Sequence, residues 1–124
     1  DYLRKAFAAE PAILPPPAET AGTRSSHHLY PLRINPEALG ADIQALKQKL
    51  KEKGVTEIAH FGPMYMFRVL EQLGYDGKAA LATCPNTERM FHRGYTHLPL
   101  YPLTFAQVRY MANAVLESVA ELRS

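Results

Sequence analysis

Residues 27–54 read HHLYPLRINPEALGADIQALKQKLKEKG, and the hydrophobic period changes part-way along them. From His27 to Ile34 the apolar positions Leu29, Tyr30, Leu32 and Ile34 predict a strand. Pro31 would put that strand at an edge or a bulge, since proline has no N–H to give a ladder. Asn35 then stands as an N-cap before Pro36, whose missing N–H would be unpaired in a first helical turn anyway. Leu39, Ile43, Leu46 and Leu50 follow at spacings of four, three and four. That is one apolar helical face, with KQKLKEK on the other and Gly54 as the stop. A strand leading straight into an amphipathic helix opens a mixed, layered domain.

Outward from this stretch the same two periods recur. VTEIAHF at 55–61 predicts a second strand, which runs into a Gly62-Pro63 bend within IAHFGPMY. MYMFRVLEQLGY predicts a short helix with Met66, Val69, Leu70 and Leu73 inward, and Pro85 opens another through NTERMFHR to Gly94. THLPLY supplies a third strand candidate. Thr104 with Gln107 forms a capping box, ahead of a helix whose inner face is Val108, Ala112, Val115, Val119 and Leu122. On the N-terminal side Leu3 and Phe7 stand one helical turn apart, and prolines at 11, 15, 16 and 17 then predict an extended connector. The expected order is β-α-β-α-α-β-α, an α+β domain with a small open sheet of about three strands covered by helices, one face better buried than the other.

Composition narrows the function. At 124 residues, 47% hydrophobic and 21% charged, the chain is long enough for one domain with a real core. No apolar run approaches the roughly 18 residues of a membrane span. Fourteen basic against twelve acidic residues, a net charge of +2, is too balanced for a nucleic-acid footprint. One cysteine excludes an internal disulfide, fits a reducing, cytoplasmic setting, and at Cys84, before a helix-opening proline, reads as structural. DYLRKAFAAE has no continuous apolar core for a signal peptide, and a chain that opens on Asp1 within a helical pattern is expected to be a fragment. The five histidines fall in no HxxxH or HExxH spacing, which leaves metal unsupported, and His27 and His28 would alternate across a strand. No glycine-rich phosphate loop, GxSxG or useful carboxylate pair is present, so no catalytic residue is assigned.

Several of these segments, taken in order, resemble one family. The strand HHLYPLR, the amphipathic helix, the His60-Phe61-Gly62-Pro63 bend, Glu88-Arg89, LPLYPLT at 98–104 and then QVRYMANAV resemble the small C-terminal domain of the DegT/DnrJ/StrS sugar aminotransferases. These are pyridoxal-phosphate enzymes of the aspartate aminotransferase fold type. The likeness covers about the last hundred residues, which implies an interdomain helix end and Pro-rich connector over 1–26 and the small domain over 27–124. It also implies pyridoxal phosphate in the complete protein. The Schiff-base lysine and most cofactor ligands would lie in a large N-terminal domain, so no cofactor is expected on this chain alone. Implied partners are that large domain, a keto-sugar or cyclitol ketone, an amino-acid donor and a second subunit of a homodimer. His60 and Tyr65 become candidate substrate-binding residues, Tyr65 standing where many members carry a histidine after the bend proline. Read from the residues alone, the favoured role of His60 is a bond to a backbone carbonyl at a strand end, and the resemblance brings substrate binding level with it. A free-standing α+β binding or interaction module is the second reading, and the length of the native polypeptide separates the two.

Overall fold

Leu29–Ile34 (β2) is the central strand of a three-stranded antiparallel sheet in the computed structural model, which describes residues 1–124. Ile13–Leu14 (β1) lies on one side of it and Tyr95–Pro99 (β3) on the other. Tyr30 opposes Leu98 and Leu32 opposes Thr96 across β2 and β3, and burial alternates along both strands. The even-numbered residues therefore face the core, and Pro31, Arg33, Tyr95 and His97 face the other side.

The α+β class and the open sheet of three strands agree with the sequence, but the membership of the sheet does not. Residues 55–61 form no strand; their one backbone bridge to the sheet is the Ile58 N–H donating to the His97 carbonyl at 2.8 Å. The third strand comes instead from Ile13–Leu14, inside the expected connector, and Asn35 N–H to Ala12 O at 2.8 Å extends that pairing. Pro31 is tolerated at the centre of the sheet for a geometrical reason. His97, opposite it, turns its carbonyl away from β2 toward Ile58, so Pro31 occupies a non-hydrogen-bonded pair where no ladder N–H is needed. His27 and His28 precede β2, with His27 in the left-handed region at φ 52°, and so do not alternate across the strand.

Seven helices complete the order: Tyr2–Ala6 (α1), Pro36–Leu39 (α2), Ile43–Glu52 (α3), Arg68–Gln72 (α4), Gly77–Ala82 (α5), Pro85–Arg89 (α6) and Phe105–Arg123 (α7). The single helix expected after Asn35 is two. Gly40 at φ 76° ends α2, and Asp42 caps α3 by accepting from the Gln44 and Ala45 N–H groups. Helix α5 has the same signature, with Asp76 accepting from Lys78 and Ala79. Helices α1, α2, α3 and α7 cover the inner face of the sheet around Leu32, Leu46, Leu50, Leu98 and Val115, all fully buried. Leu3, Phe7 and Ile13 belong to this core as well. No helix is long and apolar enough to cross a membrane.

The segment between α3 and β3 is built differently. Helices α4, α5 and α6 contribute no buried residue. Met66, Val69 and Leu73, expected inward, are 54%, 55% and 68% exposed, and Leu70 is half-buried. Apolar spacing identifies a face that seeks a partner, and within this chain that face has none.

Candidate functional site

The outer face of the sheet carries the site. Residues 55–58 are tied down first, by Thr96 Oγ1 donating to Glu57 Oε2 at 2.8 Å and by the Lys47–Glu57 ion pair at 3.0 Å. The Ile58 bridge then brings the chain over β3. His60 consequently packs edge-on against Tyr95 and His97, with ring centroids 5.2 and 4.7 Å away. Tyr95 and His97 sit two apart on β3 and so share a face, their own rings 5.3 Å apart. Burial and the neighbouring His60 and His28 hold the His97 imidazole below its ordinary value, and burial raises the Tyr95 phenol.

Beyond His60 the Gly62-Pro63 bend, a 3₁₀ turn at Met64–Met66 and the first turn of α6 enclose an open groove of about 700 Å³. Its walls are largely Phe61, Met64, Phe67, Met90 and Phe91; its polar side chains are His60, Asn86, Thr87 and Tyr95. No acidic or permanently cationic side chain lines it.

The two expected site residues do not share this groove. Tyr65 lines a neighbouring one of about 410 Å³ with Tyr75, Lys78, Glu88 and His92, and only Phe67 walls both. There the Tyr65 hydroxyl donates to Glu88, whose second oxygen lies 3.7 Å from His92 Nε2. Burial, followed by the Glu88 carboxylate, pushes the Tyr65 phenol up to about 12, so it stays a neutral donor. Gly77 fixes the backbone beneath, since a Cβ there would come 2.5 Å from the Tyr65 carbonyl oxygen. Asn86, Thr87 and Phe91 were not singled out by the sequence reading. The only signal for them is that Pro85 at the first helical position puts residues 86 and 87 on the turn that opens α6.

Neither groove offers the donor set that pyridoxal phosphate requires. The His60 groove has no lysine for a Schiff base and no arginine for a phosphate. Of the lysines of α3 and its C-cap, Lys47, Lys49 and Lys53 are committed to Glu57, Glu52, Glu117 and Glu121, and the exposed Lys51 lines neither groove. Lys78, in the Tyr65 groove, faces a site that already holds Glu71, Asp76 and Glu88. Neither groove by itself therefore supplies the ligands of that cofactor.

Comparison with known proteins decides the family. The profile of the DegT/DnrJ/EryC1/StrS aminotransferase family matches residues 1–116. The chain belongs to this family. Solved structures with the same fold include the candidate sugar aminotransferase Spr1654 of Streptococcus pneumoniae in its PLP form, 24% identical with a TM-score of 0.75 over 98% of this chain. The PMP form of that protein matches with a TM-score of 0.74. The aminotransferase TlmJ of Streptoalloteichus hindustanus is 21% identical, with a TM-score of 0.79 over 99% of this chain. This member of the DegT/DnrJ/EryC1/StrS family spans only 29–30% of the length of those proteins. A search of curated proteins gave no match.

Proposed function

We propose that this chain is the C-terminal small domain of a larger pyridoxal-phosphate aminotransferase that moves an amino group from an amino acid to a keto-sugar or related cyclic ketone. In this reading residues 1–26 lead in from the large domain and 27–124 form the small one, the two sharing a core through Leu3, Phe7 and Ile13. The observation that carries it is the family match over residues 1–116, together with structural relatives that overlap nearly all of this chain and under a third of their own. The parent would be a cytoplasmic homodimer. Bound pyridoxal phosphate would supply the electron sink for amino transfer; its lysine and phosphate ligands would come from the large domain.

What this chain's own residues do is position substrate. His60, held edge-on by Tyr95 and His97 at the mouth of an aromatic groove, is suited to bond a substrate hydroxyl or phosphate. Tyr65, tied to Glu88, reaches the adjoining groove as a second, neutral contact. The alternative of a free-standing module gains less support, because the grooves sit among apolar residues that await a large partner. In the complete enzyme, His60→Ala should weaken the ketone-accepting half-reaction and leave the amino-donor half-reaction unchanged. One lost hydrogen bond is worth on the order of 0.5–3 kcal/mol depending on charge, so kcat/KM should fall between about 2-fold and about 200-fold. Single-turnover measurement of each half-reaction is the test. Equal losses in both, or none in either, would return His60 to a structural role.

A further inference from the structure

We propose that Asn86 and Thr87 are specificity-determining residues which, lining one groove with His60, read the hydroxyls of an uncharged ring lying on the Phe61, Phe67, Met90 and Phe91 walls. This rests on the reading of the His60 groove as a substrate wall, and it goes further by naming which atoms select and what they select.

Three observations carry it. The first is commitment. Beside α6, the Thr83 hydroxyl donates to the Ala80 carbonyl at 2.7 Å and Tyr65 donates to Glu88. The Asn86 amide, the Thr87 hydroxyl and the His60 ring are exposed along the same groove and make no hydrogen bond within the chain, which leaves them open to a ligand. The second is charge. No acidic, lysine or arginine side chain lines the groove, whereas the adjoining one holds Glu71, Asp76, Lys78 and Glu88. A phosphate on these walls would meet no lysine or arginine, so Asn86 and Thr87 are suited to neutral hydroxyls rather than to a charged group. The third is shape. Phenylalanine and methionine on the walls, with neutral donors and acceptors at Asn86 and Thr87, match a ring that has C–H faces and a hydroxylated edge. An amide both donates and accepts, as a hydroxyl does, so the pair can satisfy adjacent ring hydroxyls.

The experiment uses the complete enzyme with two neutral probes, a 3-keto-hexopyranoside and an inosose, and with analogues of each lacking one hydroxyl. The ketone-accepting half-reaction should lose roughly 2- to 10-fold in kcat/KM with Asn86→Ala and with Thr87→Val. Each loss should vanish on one particular deoxy analogue, and Thr87→Ser should recover most of it. An unchanged amino-donor half-reaction reports that the variants fold. Losses equal on every analogue, no loss, or failure of both neutral rings to react would each overturn the inference. If His60→Ala lowers the ketone side while Asn86 and Thr87 do not, only this inference falls. If His60→Ala also has no effect, the substrate-wall reading falls with it.

Discussion

His97 stands between the core and the groove, and its protonation state is set by that position. It is half-buried on β3, its ring is 4.7 Å from that of His60, and His28 and Tyr95 are its other titratable neighbours, with Arg33 across the strand pair from Tyr95. Burial first, and the two histidines after it, disfavour the imidazolium, so the folded value lies below the ordinary 6.5. In the unfolded chain His97 takes up a proton near that ordinary value, and in the folded chain it does so only at lower pH. More protons are then bound in the unfolded state, and stability present above about pH 6.5 is lost as pH falls through the folded value. His97→Phe keeps an aromatic edge against His60 and Tyr95 while removing the titration. The variant should show a smaller drop in urea midpoint between pH 8 and pH 5 than the parent chain, and equal drops would mean that His97 contributes nothing to the pH dependence.

At the scale of elements, short-range chemistry was the legible part. Thr104 and Gln107 make the capping box that their spacing announces, with Thr104 N–H donating to Gln107 Oε1 at 2.8 Å and Gln107 N–H donating to Thr104 Oγ1 at 3.3 Å. Behind it Ala112, Val115 and Val119 are fully buried on the predicted face. Thr104→Ala should cost about 0.5–2 kcal/mol, read as a lowered urea midpoint with unchanged slope, since only the first turn of α7 loses a partner. A wild-type midpoint would show that the Gln107 arm alone suffices. The break within residues 36–53 was legible too, in Gly40 followed by the Asx cap Asp42, but a continuous apolar spacing across it masked the signal. What could not be read locally was pairing. VTEIAHF has the composition of a strand, yet strand formation needs a neighbouring backbone along its length, and the His60 segment leaves the sheet after one bridge to cross its face. Ile13–Leu14 looks like linker beside three prolines and becomes a strand because Ile34 and Arg33 lie opposite. The candidate site divides in the same way: His60 is singled out by its bend, while Asn86 and Thr87 reach the groove only through the packing of α6 against the rest.

The molecule as a whole is lopsided. One side is a closed core between the sheet and α1, α2, α3 and α7, and the N-terminal segment is locked to it by Arg123, whose Nη2 lies 2.6 Å from Glu10 Oε1. Leu3, Phe7 and Ile13 are closed into this core, at 5%, 4% and 4% exposed. From Thr56 to Arg93, by contrast, no residue is fully buried. Most of the exposed large apolar side chains gather there, with Phe61 at 84%, Met64 at 69% and Leu73 at 68%. A patch of that extent on a chain free in solution favours association, and it also leaves the segment with few apolar contacts to resist opening. The 124-residue chain should therefore self-associate at high concentration and bind an apolar dye. Phe61→Ser with Met64→Ser should diminish both while leaving the urea midpoint of the core within about 0.5 kcal/mol of the parent, because neither side chain is part of the core. The same asymmetry predicts the order of hydrogen exchange. Amides of α4 and α5 should exchange through local opening, well ahead of those in β2, α3 and α7, which require global unfolding. Sedimentation that gives a strict monomer without dye binding, together with uniform protection along the chain, would mean that the segment is closed on itself in solution. The apolar residues of α4 would then need no partner beyond this chain.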